Sequence, residues 1–290
     1  MTTPPPVESQ INTAKRLHKI FSNAKAQPTN ITVHVVWRRV LIDDTVQPKT
    51  PLNNETTFVL YRSLNAIVDA LDEITQAIRD TRPDEAELYL RCIEPLKAVA
   101  TPHNLNDGWA ASAKHLTSEV LFQLELCANS LPKGYELGAD EIRDIKQAVM
   151  ELIEQVKASD LAKPLRRWVL DLLSSVLRSI DLYDIHGAKA FGDSLASMIG
   201  QFAMHQKSCK DVAAKHKGIW QKLVSIAGTL NTIVIKAKEW YPLLEAGRQA
   251  TTLLLEQLND PGAGPPSLDT PPSTSLELPP SSSLVPPKSG

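Results

Sequence analysis

"TTFVLYRSLNAIVDALDEITQAI", residues 56–78, decides the fold class. Leu60, Leu64, Ile67, Leu71, Ile74 and Ile78 recur at spacings of three and four, the repeat of one face of an α-helix, and the stretch has no proline or glycine to interrupt it. The same repeat continues on either side. "INTAKRLHKIFSNAKA" sets Ile11, Ala14, Leu17 and Phe21 on one face. Further on, Leu165, Trp168, Val169, Leu172, Leu173, Val176, Ile180 and Tyr183 form a broad apolar arc, with Arg167 and Asp171 placed to pair on the opposite side. A helix from about Asp84 carries Leu88, Cys92 and Leu96 and is disturbed by Pro95. Another runs through "SAKHLTSEVLFQLELCANSL", and Asp140 is placed to cap "EIRDIKQAVMELIEQVKA". The segment "ITVHVVWRRVLI", residues 31–42, is rich in β-branched residues. Its surroundings and Asn30 in a cap position still favour a helix over a strand.

These periodicities predict an all-α protein: one bundle of seven to nine helices over residues 8–259. The flanks differ. Residues 1–7 and 260–290 are expected to be disordered, because Pro, Ser and Gly at the density of "DPGAGPPSLDTPPSTSLELPPSSSLVPPKSG" bury too little to offset chain entropy. A last helix is expected to start at Pro242 and to carry Ala246, Ala250, Leu253, Leu254 and Leu258.

Composition narrows the function classes. The formal net charge of −2 gives no global attraction to nucleic acid. Three cysteines, far apart in sequence and without a C-x-x-C, suit a reducing compartment, each thiol serving as a small buried apolar group. The start "MTTPPPVESQ" lacks the basic and apolar regions of a signal peptide, and there is no uncharged run long enough to span a bilayer. A soluble cytoplasmic protein is expected.

The stretch "DLYDIHGAKAFGD", residues 181–193, has the residue types of a metal or catalytic cluster. At 100° per residue, however, His186 points away from Asp181 and Asp184, and Gly187 suits a helix C-terminus. The reading is a corner, with His186 in a last turn that favours a cation. Beyond it, Phe191, Leu195, Met198, Ile199 and Phe202 form an apolar face. Gly192, Ala196, Gly200 and Ala203 form a second strip of small side chains, expected to admit a closely packed helix or to mediate self-association. His205 and Cys209 lie one turn apart, but His216 falls about 10 Å further along a helix, too far to share an ion. No metal site is predicted. No phosphate-binding, dinucleotide-binding, nucleophile-elbow or zinc-protease motif is present, so no cofactor and no catalytic residue are assigned.

Charge is uneven. Residues 69–94 are acidic, whereas 205–248 are basic, and either the two regions face each other or each is solvated. Lys207, Lys210, Lys215, Lys217 and Lys222, with Trp220, are candidate contacts to an anionic surface. Residues 223–235, "LVSIAGTLNTIVI", carry no charge, with Ser225, Thr229 and Thr232 on one polar face, as a buried helix would. Three functions follow as expectations. The first is a non-enzymatic helical interaction or regulatory protein, with a protein partner or self-association and with tail islands such as "SLELPP" and "SLVPP" as motifs. The second is a membrane-acting protein using residues 205–241. The third is an enzyme of unknown chemistry, whether or not a small molecule is its substrate.

Overall fold

The computed structural model describes residues 10–47 and 50–237, and over these the protein is all-α. The order is β1 (Gln10–Ile11), α1 (Thr13–Lys25), α2 (Val33–Leu41), α3 (Asn54–Thr81), α4 (Ala86–Leu90), α5 (Ile93–Ala100), a 3-10 turn (Pro102–Asn104), α6 (Trp109–Ala113) and α7 (Ser118–Ser130). It continues with β2 (Gly134–Tyr135), α8 (Ala139–Ala158), α9 (Lys163–Asp181), α10 (Tyr183–His186), α11 (Ala188–Met204), α12 (Gln206–Lys215) and α13 (Lys217–Lys236). That is more than seven to nine helices, because the expected long segments are broken into pieces. The helix expected from Asp84 is two, α4 and α5, parted at Arg91–Cys92 ahead of Pro95, and Leu88 faces solvent rather than the core. The segment at 112–131 is likewise split into α6 and α7, with Thr117 accepting the Val120 N–H as the cap of the latter. Residues 31–42 do form a helix, but it begins after Thr32, not at Asn30. Helix α8 begins one residue before Asp140. Its start is held by Glu141, whose carboxylate accepts the Gly138 N–H at 2.9 Å. The expected helix at 242–258 and both terminal segments, 1–7 and 260–290, lie outside the described residues.

Helix α3 buries the predicted row: Leu60, Leu64, Ile67, Leu71, Ile74 and Ile78 are all in the core. Around it α1, α2, α4, α5 and α7 assemble a first apolar cluster, in which Phe21, Trp37 and Trp109 meet edge to face at 6.0 and 6.1 Å. A second cluster lies among α8, α9, α11, α12 and α13, built on Val169, Leu172, Leu173, Val176, Phe191, Met198, Phe202 and Leu230.

The two clusters meet at the corner. Helix α10 sends Ile185 into the first and Tyr183 into the second. From α1, buried Arg16 crosses to Tyr183: it donates to the main-chain carbonyl at 3.4 Å and to the phenol oxygen at 3.1 Å, with its guanidinium carbon 4.5 Å above the ring. The same phenol oxygen accepts the Leu137 N–H at 2.6 Å, and the Tyr183 ring stacks on Phe191. Gly187 makes this approach feasible. Its φ is +61° and ψ −144°, a conformation almost confined to glycine, and a Cβ there would lie 3.0 Å from Arg16 Nε. The corner is therefore a Gly-only turn of a different kind from the left-handed helical cap expected. Nearby, Asn12 caps α1 by accepting the Lys15 N–H and donates to the Ala128 and Leu131 carbonyls, closing the end of α7. The β1–β2 pair, Gln10 opposite Tyr135 and Ile11 opposite Gly134, adds a second tie at the same place.

A candidate binding cleft on helix α3

The positions 58, 61, 62, 65 and 69 run along α3 at helical spacing, beside the buried row and facing outward. They carry Phe58, Tyr61, Arg62, Asn65 and Asp69, and with Leu182 and His186 they line an open cleft of about 420 Å³. The aromatic residues are conspicuous for their exposure: Phe58 is 69% and Tyr61 42% accessible. Helix α3 supplies one wall because its apolar row pins it to the first core. The corner supplies the other, because Ile185 anchors α10 there and leaves Leu182 and His186 toward the cleft.

Polar groups in the wall are held unevenly. Arg62 reaches Asp181 at 3.2 Å, and Lys146 of α8 reaches the other oxygen of that carboxylate at 3.4 Å. Arg62 Nε and His186 Nδ1 are enclosed and have no hydrogen-bond partner among the described residues. Burial is the main influence on His186 and lowers its pKa, opposed by the charges of Glu73, Asp69 and Asp193 and assisted by Lys189. Burial thus works against the cation that a last turn favours. Glu73 itself pairs with Lys189, and Asp72 with Lys97, so part of the acidic run 69–94 is matched by neighbouring helices. Asp181 and His186 serve different contacts, as the corner reading requires, and Arg167 and Asp171 pair across one turn at 4.0 Å.

The residues singled out in the sequence fall elsewhere. Helix α11 buries Phe191, Leu195, Met198 and Phe202 between α9 and α13, and most of its small strip is not covered by another helix among the described residues. Gly192 alone is buried, with room for a Cβ 3.8 Å from Val234. Ala196, Gly200 and Ala203 face solvent, and Gly200 has nothing within 4 Å of where a Cβ would be. The large residues already occupy the sides facing α9 and α13, so the strip is left outward. Trp220 is a second correction: it is buried against Phe202, with ring centroids 5.6 Å apart, and is not available to a surface. Lys207, Lys210, Lys215, Lys217 and Lys222 are exposed along α12 and α13. None of them pairs with the 69–94 acids among the described residues. Helix α13 buries Leu223, Ile226, Ala227 and Leu230 and turns Ser225, Thr229 and Thr232 outward. Trp240 and Tyr241 lie outside the described residues. Among the described residues no helix is long and apolar enough to cross a membrane, and no three His, Cys, Asp or Glu gather as a metal-holding set. Cys209 is buried and donates to the Phe202 carbonyl at 3.8 Å, while His205 rests on Trp168.

The cleft was missed in the sequence. Phe58 and Tyr61 stood one helical turn apart beside the apolar row, but their other wall comes from more than a hundred residues later. Comparison with family models, with curated proteins and with solved structures found no match to this chain.

Proposed function

We propose that this is a non-enzymatic, cytoplasmic interaction protein whose α3 cleft takes a short segment of a protein partner. The exposure of Phe58 and Tyr61 beside Arg62 carries this reading. Aromatic and arginine side chains at the mouth of a cavity dominate the energetics of protein recognition, whereas solvent-facing helix positions ordinarily hold polar residues. An apolar side chain of the partner fits between the two rings. A basic residue following it meets Asp69, which has no ion pair among the described residues. Three unbridged thiols fit a reducing compartment. The proline-rich segment 260–290, with "SLELPP" and "SLVPP", offers the partner or a third protein an extended ligand.

The test is selection of a displayed peptide library on the full chain, repeated on Phe58→Ala/Tyr61→Ala, on Met204→Ala as a remote surface change, and on the chain ending at residue 259. Peptides with an apolar anchor next to Lys or Arg, lost on the double variant and kept on Met204→Ala, are expected. Binders indifferent to Phe58 and Tyr61 would remove the cleft from the reading. Selection unaffected by loss of 260–290 would remove the tail.

A further inference from the structure

Cys92 and Cys127, distant in the chain, converge on one atom. Their thiols donate to the main-chain carbonyl of Tyr89 at 3.5 and 3.4 Å, and both side chains are fully buried. Cys92 stands at the start of α5 and Cys127 in the body of α7, so α3-centred packing brings them together. Each thiol also shifts the titration of the other. Cys92 beside it is the main influence on Cys127 and lowers its pKa against the opposing effect of burial. Cys92 is pushed up by Cys127 and by burial. The two shifts run in opposite directions and name Cys127 as the thiol that ionises first. Cys209 is the contrast: its thiol donates to the Phe202 carbonyl and is pushed up to about 12 by burial.

The carbonyl that both thiols use belongs to α4, a single turn of five residues in which Ala86 alone is buried and Leu88 is exposed. Tyr89 and Leu90 pack on the first cluster only partly buried, so a turn this short can open locally and admit a small oxidant to the sulfurs without either apolar cluster unfolding.

We propose that Cys92 and Cys127 are a reversible dithiol–disulfide site, oxidised by a hydroperoxide. The Cys127 thiolate attacks one peroxide oxygen, the O–O bond breaks, and the leaving oxygen takes a proton to depart as water or an alcohol. The resulting sulfenic acid is attacked by the Cys92 sulfur. The S–O bond breaks, the S–S bond forms and water leaves with the second proton. Two thiols lose two electrons and two protons, the peroxide gains both, and an external thiol reductant reverses the change. The bridge would fasten the α4–α5 junction to α7.

The test uses the full chain treated with hydrogen peroxide, then unfolded, alkylated, digested with trypsin and weighed. The expected product is peptide 92–97 bridged to 115–133 within one chain, released by dithiothreitol. The Cys127 thiol should disappear at least about tenfold faster than that of Cys209, which stays alkylatable. A bridge formed only after prior unfolding, or both cysteines alkylating as readily as Cys209, would overturn the proposal. The roles are read separately. Cys92→Ser should halt at a Cys127 sulfenic acid trapped by dimedone, whereas trapping at Cys92 in Cys127→Ser at an equal rate would refute the assignment of Cys127 as the attacking thiolate.

Discussion

Replacing Tyr183 by Phe removes one oxygen and leaves every apolar contact in place, including the stack on Phe191. That oxygen accepts two donors, the Leu137 N–H at 2.6 Å and Arg16 Nη2 at 3.1 Å. Both are enclosed, since Arg16 is only 6% exposed. An orphaned buried amide costs about 1–3 kcal/mol, and a charged donor that loses its acceptor costs about 1.5–3. Tyr183→Phe is therefore expected to lower stability by roughly 3–5 kcal/mol, a large share of the 5–15 kcal/mol typical of a folded domain. Arg16→Met should cost less, because the phenol keeps the Leu137 N–H and loses only the cation, and the double variant should fall short of additivity by about 1 kcal/mol or more. Urea unfolding followed by tryptophan fluorescence is suited to this. Trp37 and Trp109 report the first cluster, and Trp168 and Trp220 the second. A midpoint lower by roughly 1–2 M is expected. A loss below about 1 kcal/mol for Tyr183→Phe would mean that water or a neighbour takes over both donors, and the account of the junction would be wrong.

Gly187→Ala forces a side chain into a φ of +61° and against Arg16 Nε, so a loss of about 1–3 kcal/mol is expected in the same assay. Gly200 is the opposite case. With nothing within 4 Å, Gly200→Ala should raise stability by up to about 1 kcal/mol, and Gly200→Leu should not lower the melting temperature. A lower melting temperature, or dissociation of an oligomer, would show the strip to be covered after all. His186, with its folded pKa depressed, takes up its proton later than in the unfolded chain. Its contribution to stability is therefore complete above the unfolded value of 6.5 and is lost as pH falls below it toward the folded pKa. His186→Gln should flatten part of the stability slope below pH 6.5. His18, also lowered chiefly by burial, should leave a residual slope, and an unchanged slope would refute the burial of His186. Phe58→Ala/Tyr61→Ala should change the melting temperature little, since both rings already face solvent.

What the sequence could reveal depends on how far apart the interacting residues lie. The α3 row and the α9 arc were readable because each repeats within one helix, where neighbours are three or four residues away. The turn at Gly187 was readable because glycine and the end of an apolar arc coincide. The break at Arg91–Cys92 was readable in part, since Pro95 crowds the carbonyl of Arg91 four residues back, but that two separate helices result depends on how α4 docks on α7. Small side chains at 196, 200 and 203 permit close approach without requiring it, so their periodicity could not say whether a helix lies there. Trp220 has the same ambiguity, as an amphipathic surface anchor and a core residue have identical spacing. The cleft and the Cys92–Cys127 pair join distant segments, and only the assembled chain places them together.

The Arg16–Tyr183 contact spans 167 residues of sequence, which bears on how the protein is made. Synthesis at about 5–20 residues per second leaves α1 without its partner for on the order of ten seconds. Throughout that interval the first cluster can gather around α3 from segments already emerged, but Arg16 has no phenol to receive it and Ile185 has yet to fill its place. The nascent amino-terminal half is thus an incomplete body with a hydrated cation where a seam will form. Its closing step waits until the corner leaves the ribosome. Any delay between residues 131 and 187 lengthens the life of that half-built state, and chaperone capture would concentrate there.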